Sequence, residues 1–338
     1  MRHLNRELSS IINAARTLGE IRLTDEQLYS LCLIVLADLD MKHALEPNKL
    51  DMKRVPKGIL YGDYYGIPLE KFAVELPNSF NLESVLDRLA KTVPDFVTYF
   101  KCLCEIHKRR TKFKSILRSQ NFPDMEQIVP RSILEYKLTT NEALASWLVW
   151  RKWLYDIDNR SAQETGYMFE PILAAAIGGV QFSAKNSPVR RSGEKKRGRQ
   201  VDCIEGKNAY EFKMRVTIAA SGQGRFGEEL DFARDCKQSG YRPILVVLDS
   251  TPSPRLKDLV SEYTRFGGLC FIGDKAWHHL EEKAGRVMSI FISKYIKKPL
   301  DEVTKSHAVL LPISLAKESG RICLKLGDQE YEIRREPS

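Results

Sequence analysis

The chain lacks the features by which membrane-spanning, secreted and repeat proteins are recognised. Its longest apolar run, Leu31–Ala37, is far shorter than the roughly 20 residues that cross a bilayer as a helix. Residues 1–19 show no apolar segment with a cleavage site, so we expect no signal peptide. The seven cysteines include no Cys-x-x-Cys pair, which predicts reduced thiols and a cytoplasmic protein without membrane contact. No internal repeat or low-complexity segment occurs.

Two short stretches predict a β-hairpin with acids on one face. Residues 200–204 and 209–215 alternate polar with apolar side chains, and a tight turn that contains glycine joins them. If the hairpin is centred between residues 206 and 207, Asp202 lies opposite Glu211. Lys213 lies two residues beyond Glu211 and therefore on the same face.

Two carboxylates that face each other repel unless a positive group lies between them. A divalent metal ion meets this requirement, and Mg²⁺ needs only one or two carboxylates when water and a substrate phosphate complete its shell. A lysine beside the metal can orient or help deprotonate the attacking water and offset negative charge during phosphodiester hydrolysis. The alternative is that these residues form the solvated face of a surface hairpin, with the intervening apolar residues facing a core.

Positive charge is concentrated in the second part of the chain. The first 150 residues contain 21 Lys and Arg against 19 Asp and Glu, which leaves +7 of the formal net charge of +9 for the rest. A basic segment precedes the hairpin and contains Lys185, Arg190, Arg191, Lys195, Lys196, Arg197 and Arg199 against Glu194 alone. Such a segment supplies sequence-independent affinity for the phosphates of nucleic acid. The alternative is a flexible solvated loop.

A helix pattern lies upstream of the hairpin. It runs from residue 161 to residue 177 and ends at the pair Gly178-Gly179. Glu170 is the carboxylate best placed to point at the metal, and Glu164 is the second choice. Both acids could instead face solvent. Pro171 indicates that the helix begins or kinks there.

These residues resemble the PD-(D/E)xK nuclease superfamily and, within it, the type II restriction endonucleases. The superfamily core is an α/β unit in which a helix precedes a mixed central sheet flanked by helices. The sheet carries an acid and then an (Asp/Glu)-x-Lys, which Glu170, Asp202 and Glu211-x-Lys213 match in this chain.

The run of residues 198–204 followed by residues 211–226 is similar to the ApaLI-like group of these enzymes. Val201 stands where the motif has proline, a residue that bears no metal ligand. The resemblance implies a Mg²⁺-dependent enzyme that cuts double-stranded DNA at a short sequence. It also implies a homodimer, because the two-fold symmetry of a dimer suits a palindromic site.

The resemblance also implies roles for the site residues. Asp202 and Glu211 hold Mg²⁺, the carbonyl of Phe212 adds a ligand, Lys213 serves the attacking water, and Glu170 supports the metal shell. The residues of the basic segment that we expect to contact DNA are Arg190, Arg191, Lys195, Lys196, Arg197 and Arg199.

A competing motif follows the second strand. Residues 222–227 read G-x-G-x-x-G before a predicted helix, Glu228–Lys237, which is the layout of a dinucleotide site. Charged side chains on the preceding strand and the acids Glu228 and Glu229 at the helix start oppose an anionic cofactor. We therefore expect no nucleotide cofactor and interpret the stretch as a mobile loop. Gln223 and Arg225 in this loop are candidates for reading bases of bound DNA.

The chain is long enough for two domains, and three parts are predicted. Residues 1–155 form a mostly helical domain that contacts DNA or dimerises, with a capping box at Thr24–Gln27. Residues 156–300 form the nuclease core, after a linker near Asp156–Arg160. Residues 301–338 form a C-terminal β-hairpin extension.

Type II restriction endonuclease is the predicted function, with double-stranded DNA and a second copy of the chain as partners. Within the enzyme class the alternative is a structure-specific or repair nuclease. From another class, the alternative is a non-catalytic DNA-binding protein in which the acid pair is structural.

Overall fold

The computed structural model of the chain describes residues 11–44, 55–193, 198–214, 223–306 and 310–336, with residues 223–225 described by their backbone only. Within these ranges the protein is α/β and divides into two compact units. The first unit comprises Met1–Thr17, Arg22–Glu105 and Met168–Leu300, and the second comprises Leu18–Ile21, Ile106–Tyr167 and Asp301–Ser338.

Helices make up most of the described residues before position 155, as predicted. Residues 11–16 are helical, and the α-helices that follow are α1 Asp25–Asp38, α2 Lys57–Leu60, α3 Leu82–Thr92, α4 Phe96–Ser119, α5 Met125–Ile128, α6 Asn141–Ala176, α7 Gln223–Gln238, α8 Pro254–Arg265, α9 Asp274–Ile292 and α10 Lys298–Ser306. Shorter 3₁₀ turns lie at Lys42–Ala44, Leu69–Lys71 and Val129–Leu134, and a π-helical turn lies at Ser293–Lys297. None of these helices has the length and apolar character that a membrane crossing requires, so far as the described ranges go.

The predicted capping box starts α1. The hydroxyl of Thr24 accepts a 3.3 Å hydrogen bond from the backbone N–H of Gln27, and the Gln27 side chain accepts a 3.0 Å bond from the backbone N–H of Thr24. Two of the N–H groups that a helix start leaves without partners are thereby satisfied.

The linker predicted at Asp156–Arg160 is not observed, because these residues lie inside the continuous helix α6. Trp153 on this helix is buried and stacks on Phe122, with ring centroids 5.4 Å apart. The indole N–H of Trp153 donates to the carbonyl of Gln120 at 3.2 Å. Packing of Trp153 therefore anchors α6 just before this segment. Pro171 also lies within α6, so the helix does not begin there.

A mixed five-stranded sheet forms the centre of the first unit. Its strands are β3 Val180–Phe182, β4 Val201–Glu205, β5 Asn208–Lys213, β6 Arg242–Val247 and β7 Leu269–Ile272, in spatial order β3-β4-β5-β6-β7. The β3/β4 and β4/β5 pairs are antiparallel, whereas β5/β6 and β6/β7 are parallel. A separate two-stranded hairpin, β1 Thr17–Leu18 and β2 Ile21–Arg22, precedes α1.

Helices cover both faces of this sheet. On one face α7 and α8 pack against the strands, and the buried cluster contains Val201, Ala209, Leu245, Val247, Phe232, Ala233, Cys236, Leu256, Leu259 and Tyr263. On the other face His279 of α9 stacks on Phe271 and Tyr210. A fully buried Leu or Phe side chain contributes roughly 1.5–3 kcal/mol. This burial makes the sheet a rigid support for the residues at its strand ends.

The C-terminal residues form a three-stranded antiparallel sheet within the second unit. Its strands are β8 Ile313–Glu318, β9 Arg321–Leu326 and β10 Gln329–Arg334, with β9 in the middle. Leu326 pairs with Gln329, so the predicted hairpin around Gly327 is confirmed, and β8 extends it by one strand.

Candidate active site

The β4/β5 hairpin has the register that the sequence predicted. Cys203 pairs with Tyr210 and Glu205 with Asn208, across a turn in which Gly206 has a φ of 59°. This left-handed conformation costs glycine little, which lets the chain reverse in two residues. The backbone pairing ends at Cys203 and Tyr210, and the next residues on the two strands, Asp202 and Glu211, line one cavity.

Asp202 is buried, with 6% of its surface exposed. Its Oδ2 accepts a 2.9 Å hydrogen bond from the backbone N–H of Phe212. This bond holds the carboxylate on the strand that also carries Glu211 and Lys213. The alternative interpretation, in which these residues form the solvated face of a surface hairpin, is therefore wrong for Asp202.

Three carboxylates crowd this end of the hairpin. Burial raises the pKa of Asp202 well above its usual range, and the negative charges of Glu211 and Glu170 add to this shift. The backbone N–H of Phe212 and the positive charge of Lys213 oppose it. Burial and then Glu211 likewise raise the pKa of Glu170, while Lys213 and Gln181 oppose this. The acids thus repel one another in a poorly solvated place, which is the environment that a cation would stabilise.

Lys213 lies between two acids. Its Nζ is 2.8 Å from Oε1 of Glu211 and 3.2 Å from Oε1 of Glu229. Burial lowers the pKa of Lys213. The negative charges of Glu211 and Glu229 outweigh this effect and raise the pKa above its usual value. The lysine is therefore a charged hydrogen-bond donor at neutral pH, suited to orienting a water or stabilising negative charge.

Glu170 of α6 joins this group, whereas Glu164 does not. Gln181 on β3 donates a 3.2 Å hydrogen bond to Oε2 of Glu170. Glu164 instead pairs with Arg109 and Lys112, each at 2.6 Å. Although burial raises the pKa of Glu164, these two cations lower it below the usual value.

A cavity of about 280 Å³ adjoins the acid pair. Its walls include Asp202, Glu211, Glu228, Glu229, Arg191, Arg199, Gln200 and Phe232. In the described part of the chain, no three His, Cys, Asp or Glu side chains are close enough to form a ready metal cage. The donors fit Mg²⁺ nonetheless, because this ion uses one or two carboxylates and completes its shell with water and phosphate.

The residues expected to contact DNA occupy different environments. Arg190 is exposed, and Arg191 is partly buried and lies 3.0 Å from Glu228. Arg199 is buried, and its guanidinium pairs with Asp235 at 2.7 Å and donates to the Glu228 carbonyl at 2.7 Å. Arg199 is therefore a buried, paired residue at the wall of the cavity, and its contact with DNA stays a prediction. Lys195, Lys196 and Arg197 lie outside the described residues.

The predicted glycine-rich loop is in part helical. Gln223 and Arg225 lie in the first turn of α7, which begins five residues before the predicted start at Glu228. The side chains of these two residues, and the positions just before them, lie outside the description. The structure therefore corrects the helix boundary and leaves the base-reading role a prediction.

Glu229 is a site residue that the sequence reasoning missed. The sequence pattern assigns it only the repulsion of a pyrophosphate. Its spacing of three, four and seven residues from Phe232, Ala233 and Cys236 puts it on the face of α7 that packs on the sheet. That periodicity was the available signal.

A sequence model of the ApaLI-like restriction endonuclease family matches residues 34–297. The chain belongs to this family. The type II restriction enzyme ApaLI of Acetobacter pasteurianus is 47% identical over 292 residues, which cover 81% of this chain and 78% of the relative. No solved structure matches the chain. The ApaLI-like protein described here is accordingly a type II restriction endonuclease, a site-specific deoxyribonuclease, and the acid cluster lies inside the region that matches the family.

Proposed function

We propose that this restriction endonuclease hydrolyses double-stranded DNA with a PD-(D/E)xK site built on the β4/β5 hairpin. The observation that carries the proposal is the grouping of Asp202, Glu211 and Lys213 at one end of a hairpin. Asp202 and Glu211 directly follow the last backbone pair of the hairpin, Cys203–Tyr210, and 2.8 Å separates Lys213 from Glu211. The mixed sheet with helices on both faces supports assignment to this superfamily.

Asp202 and Glu211 would hold Mg²⁺, with the Phe212 carbonyl as a further ligand and Glu170 in support of the shell. When bound, Mg²⁺ supplies a Lewis acid for the scissile phosphate and makes a water molecule more acidic. Lys213 donates a hydrogen bond that orients the attacking water and offsets the charge that develops on the phosphate. The product would carry a 5′-phosphate, as the superfamily resemblance implies.

The DNA is bound through its phosphates and read as a symmetric site. Arg190 and Arg191 of the described residues, together with Lys195, Lys196 and Arg197, supply positive charge before the hairpin. A homodimer would place two such sites on a palindromic sequence. No nucleotide cofactor is proposed, because the acids Glu228 and Glu229 line the cavity beside α7 and would repel a pyrophosphate.

Digestion of a plasmid of known sequence tests this proposal. The wild-type protein with Mg²⁺ should give discrete fragments, and sequencing their ends should give one recognition site and 5′-phosphates. Lys213→Ala should lose cleavage, whereas Lys207→Ala, which removes the same charge from the turn of the same hairpin, should retain it. Normal cutting by Lys213→Ala would disprove the site. Preference for junctions or flaps would favour a repair nuclease, and DNA binding without cleavage would favour a non-catalytic role.

A further inference from the structure

Glu229 lies beside the acid pair, on an element that the superfamily motif does not include. It is on α7, and Phe232 and Ala233 of the same helix are buried against the sheet. Because residues three and four positions apart share a helix face, Glu229 also points to the sheet. It lines the cavity that Asp202 and Glu211 line.

The two carboxylate oxygens of Glu229 have different surroundings. Oε1 accepts a 3.2 Å hydrogen bond from the ammonium group of Lys213. Oε2 is buried and has no hydrogen-bond partner among the described residues. Leaving a buried polar group without a partner costs about 1–3 kcal/mol, and more for a charged group. We therefore expect this oxygen to accept a hydrogen bond from a group that the protein itself does not provide.

An ion pair with Lys213 does not by itself explain why a second acid lies at this position. Glu211 is already 2.8 Å from Lys213 and neutralises its charge. The second acid leaves excess negative charge beside Asp202, where burial and neighbouring acids already disfavour ionised carboxylates. The adjoining cavity, at about 280 Å³, holds more than the roughly 30 Å³ that one water molecule occupies in the liquid.

We propose that Glu229 is a positioning residue of the metal site. Its Oε1 holds the ammonium group of Lys213, and its Oε2 accepts a hydrogen bond from a water molecule bound to Mg²⁺. Glu229 acts through Lys213 and this water and does not bind the metal directly. The inference rests on the proposed Mg²⁺ site at Asp202 and Glu211. Replacing a residue that hydrogen-bonds to the ligands of a metal typically changes metal affinity or activity by about 10–100-fold. We expect a loss of the same order here.

Metal binding to the DNA-free protein tests the inference without a catalytic readout. Mn²⁺ serves as the probe, and calorimetry or electron paramagnetic resonance measures its dissociation constant. Glu229→Gln should bind Mn²⁺ about 10–100-fold more weakly than the wild-type protein. Asp231→Asn is the matched control, because it removes the same charge from the same helix and breaks a surface ion pair with Arg234. Its Mn²⁺ affinity should equal that of the wild type.

A second variant keeps the test decisive if Glu229→Gln does not fold, as judged by circular dichroism. Glu229→Asp preserves the charge and shortens the side chain by one methylene, so its Mn²⁺ affinity should fall about tenfold.

Wild-type Mn²⁺ affinity in the folded Glu229 variants, together with lost binding in Asp202→Asn, would overturn the inference and leave the proposed site intact. Wild-type affinity in Asp202→Asn would overturn the proposed metal site itself, and with it the role of Glu229.

Discussion

The backbone N–H of Phe212 donates a 2.9 Å hydrogen bond to Oδ2 of Asp202, across the β4/β5 hairpin. The bond ties the first acid of the site to the strand that carries Glu211 and Lys213. Because a backbone group makes this bond, substitution of the Phe212 side chain leaves it available. The position of Asp202 is thus set by the hairpin before any metal or DNA is bound.

Asp202→Asn should abolish cleavage and stabilise the metal-free protein. Loss of metal binding should reduce the cleavage rate by more than about 10³-fold, which corresponds to several kcal/mol of transition-state stabilisation. In EDTA the unfolding midpoint should rise, because a buried carboxylate with a raised pKa becomes a neutral amide. Thermal unfolding and single-turnover cleavage measure the two effects. Glu205→Gln on the same hairpin is the control, and near-wild-type cutting by Asp202→Asn would rule out the assignment.

DNA binding in Ca²⁺ should weaken steeply with salt, and the basic segment should contribute to this slope. Each phosphate contact contributes about −0.9 to the slope of log K against log salt concentration. Replacing Lys195, Lys196 and Arg197 together by Ala should make the slope shallower and weaken specific and random DNA alike. Fluorescence anisotropy at several salt concentrations measures the slope.

In the control variant, Ala replaces three other basic residues whose side chains are exposed, Lys257, Arg265 and Lys275. An unchanged affinity of the basic-segment variant for random DNA would show that the segment is a solvated loop.

Arg199→Ala should destabilise the fold. Arg199 and Asp235 are both buried and 2.7 Å apart, and removing one partner of a buried pair typically costs about 3–5 kcal/mol. Arg265→Ala, which breaks an exposed pair with Glu262, should cost less than about 1 kcal/mol. Urea unfolding of the DNA-free proteins gives both values. A stable Arg199→Ala variant with weakened DNA binding would restore Arg199 to the DNA-contacting set.

Stability should fall as the pH drops from about 6.5 to about 4, partly because of His107. Burial, and then the charge of Arg110, lower the pKa of this buried histidine to about 4. The unfolded chain binds a proton near pH 6.5 while the folded protein resists it, so this contribution is complete above pH 6.5 and is lost below it. The loss should reach about 3 kcal/mol by pH 4.

Urea unfolding of His107→Gln as a function of pH should show a weaker pH dependence than that of the wild type. His278→Gln, at a largely exposed histidine, is the control and should leave the dependence unchanged. A wild-type dependence in His107→Gln would exclude this histidine as its source.

Arg225→Ala distinguishes three roles for the first turn of α7. A base-reading arginine would lose about 1–3 kcal/mol of discrimination at one position of the recognition site. A phosphate contact would lose affinity for every sequence alike, and a pyrophosphate site would change nicotinamide or flavin binding without a DNA effect. Cleavage rates on the recognition site and on each single-base variant decide among them, with Lys237→Ala at the other end of the helix as control. An unchanged discrimination profile would remove Arg225 from the recognition surface.

Features that depend on neighbouring residues were predictable. The capping box at Thr24 and the two-residue turn at Gly206 are local, and each determines where its helix or strand begins. Once the turn is known, the two-residue period of a strand places Asp202 opposite Glu211 and Lys213 on the same face. Family membership was equally accessible, since the similarity lies in the order of residues along the chain.

The sequence by itself therefore determined the hairpin, its register and the family to which the chain belongs. Tertiary structure decided the rest, because burial and charge pairing depend on residues far apart in the chain. The predicted linker lies inside a continuous helix whose Trp153 packs on Phe122, and pairing with Asp235 buries Arg199. Glu229 came to lie beside Lys213 only because α7 packs its apolar face on the sheet. The period of a helix shows which of its faces a residue lies on, but not which residues of another element that face meets, because those contacts are made across the fold.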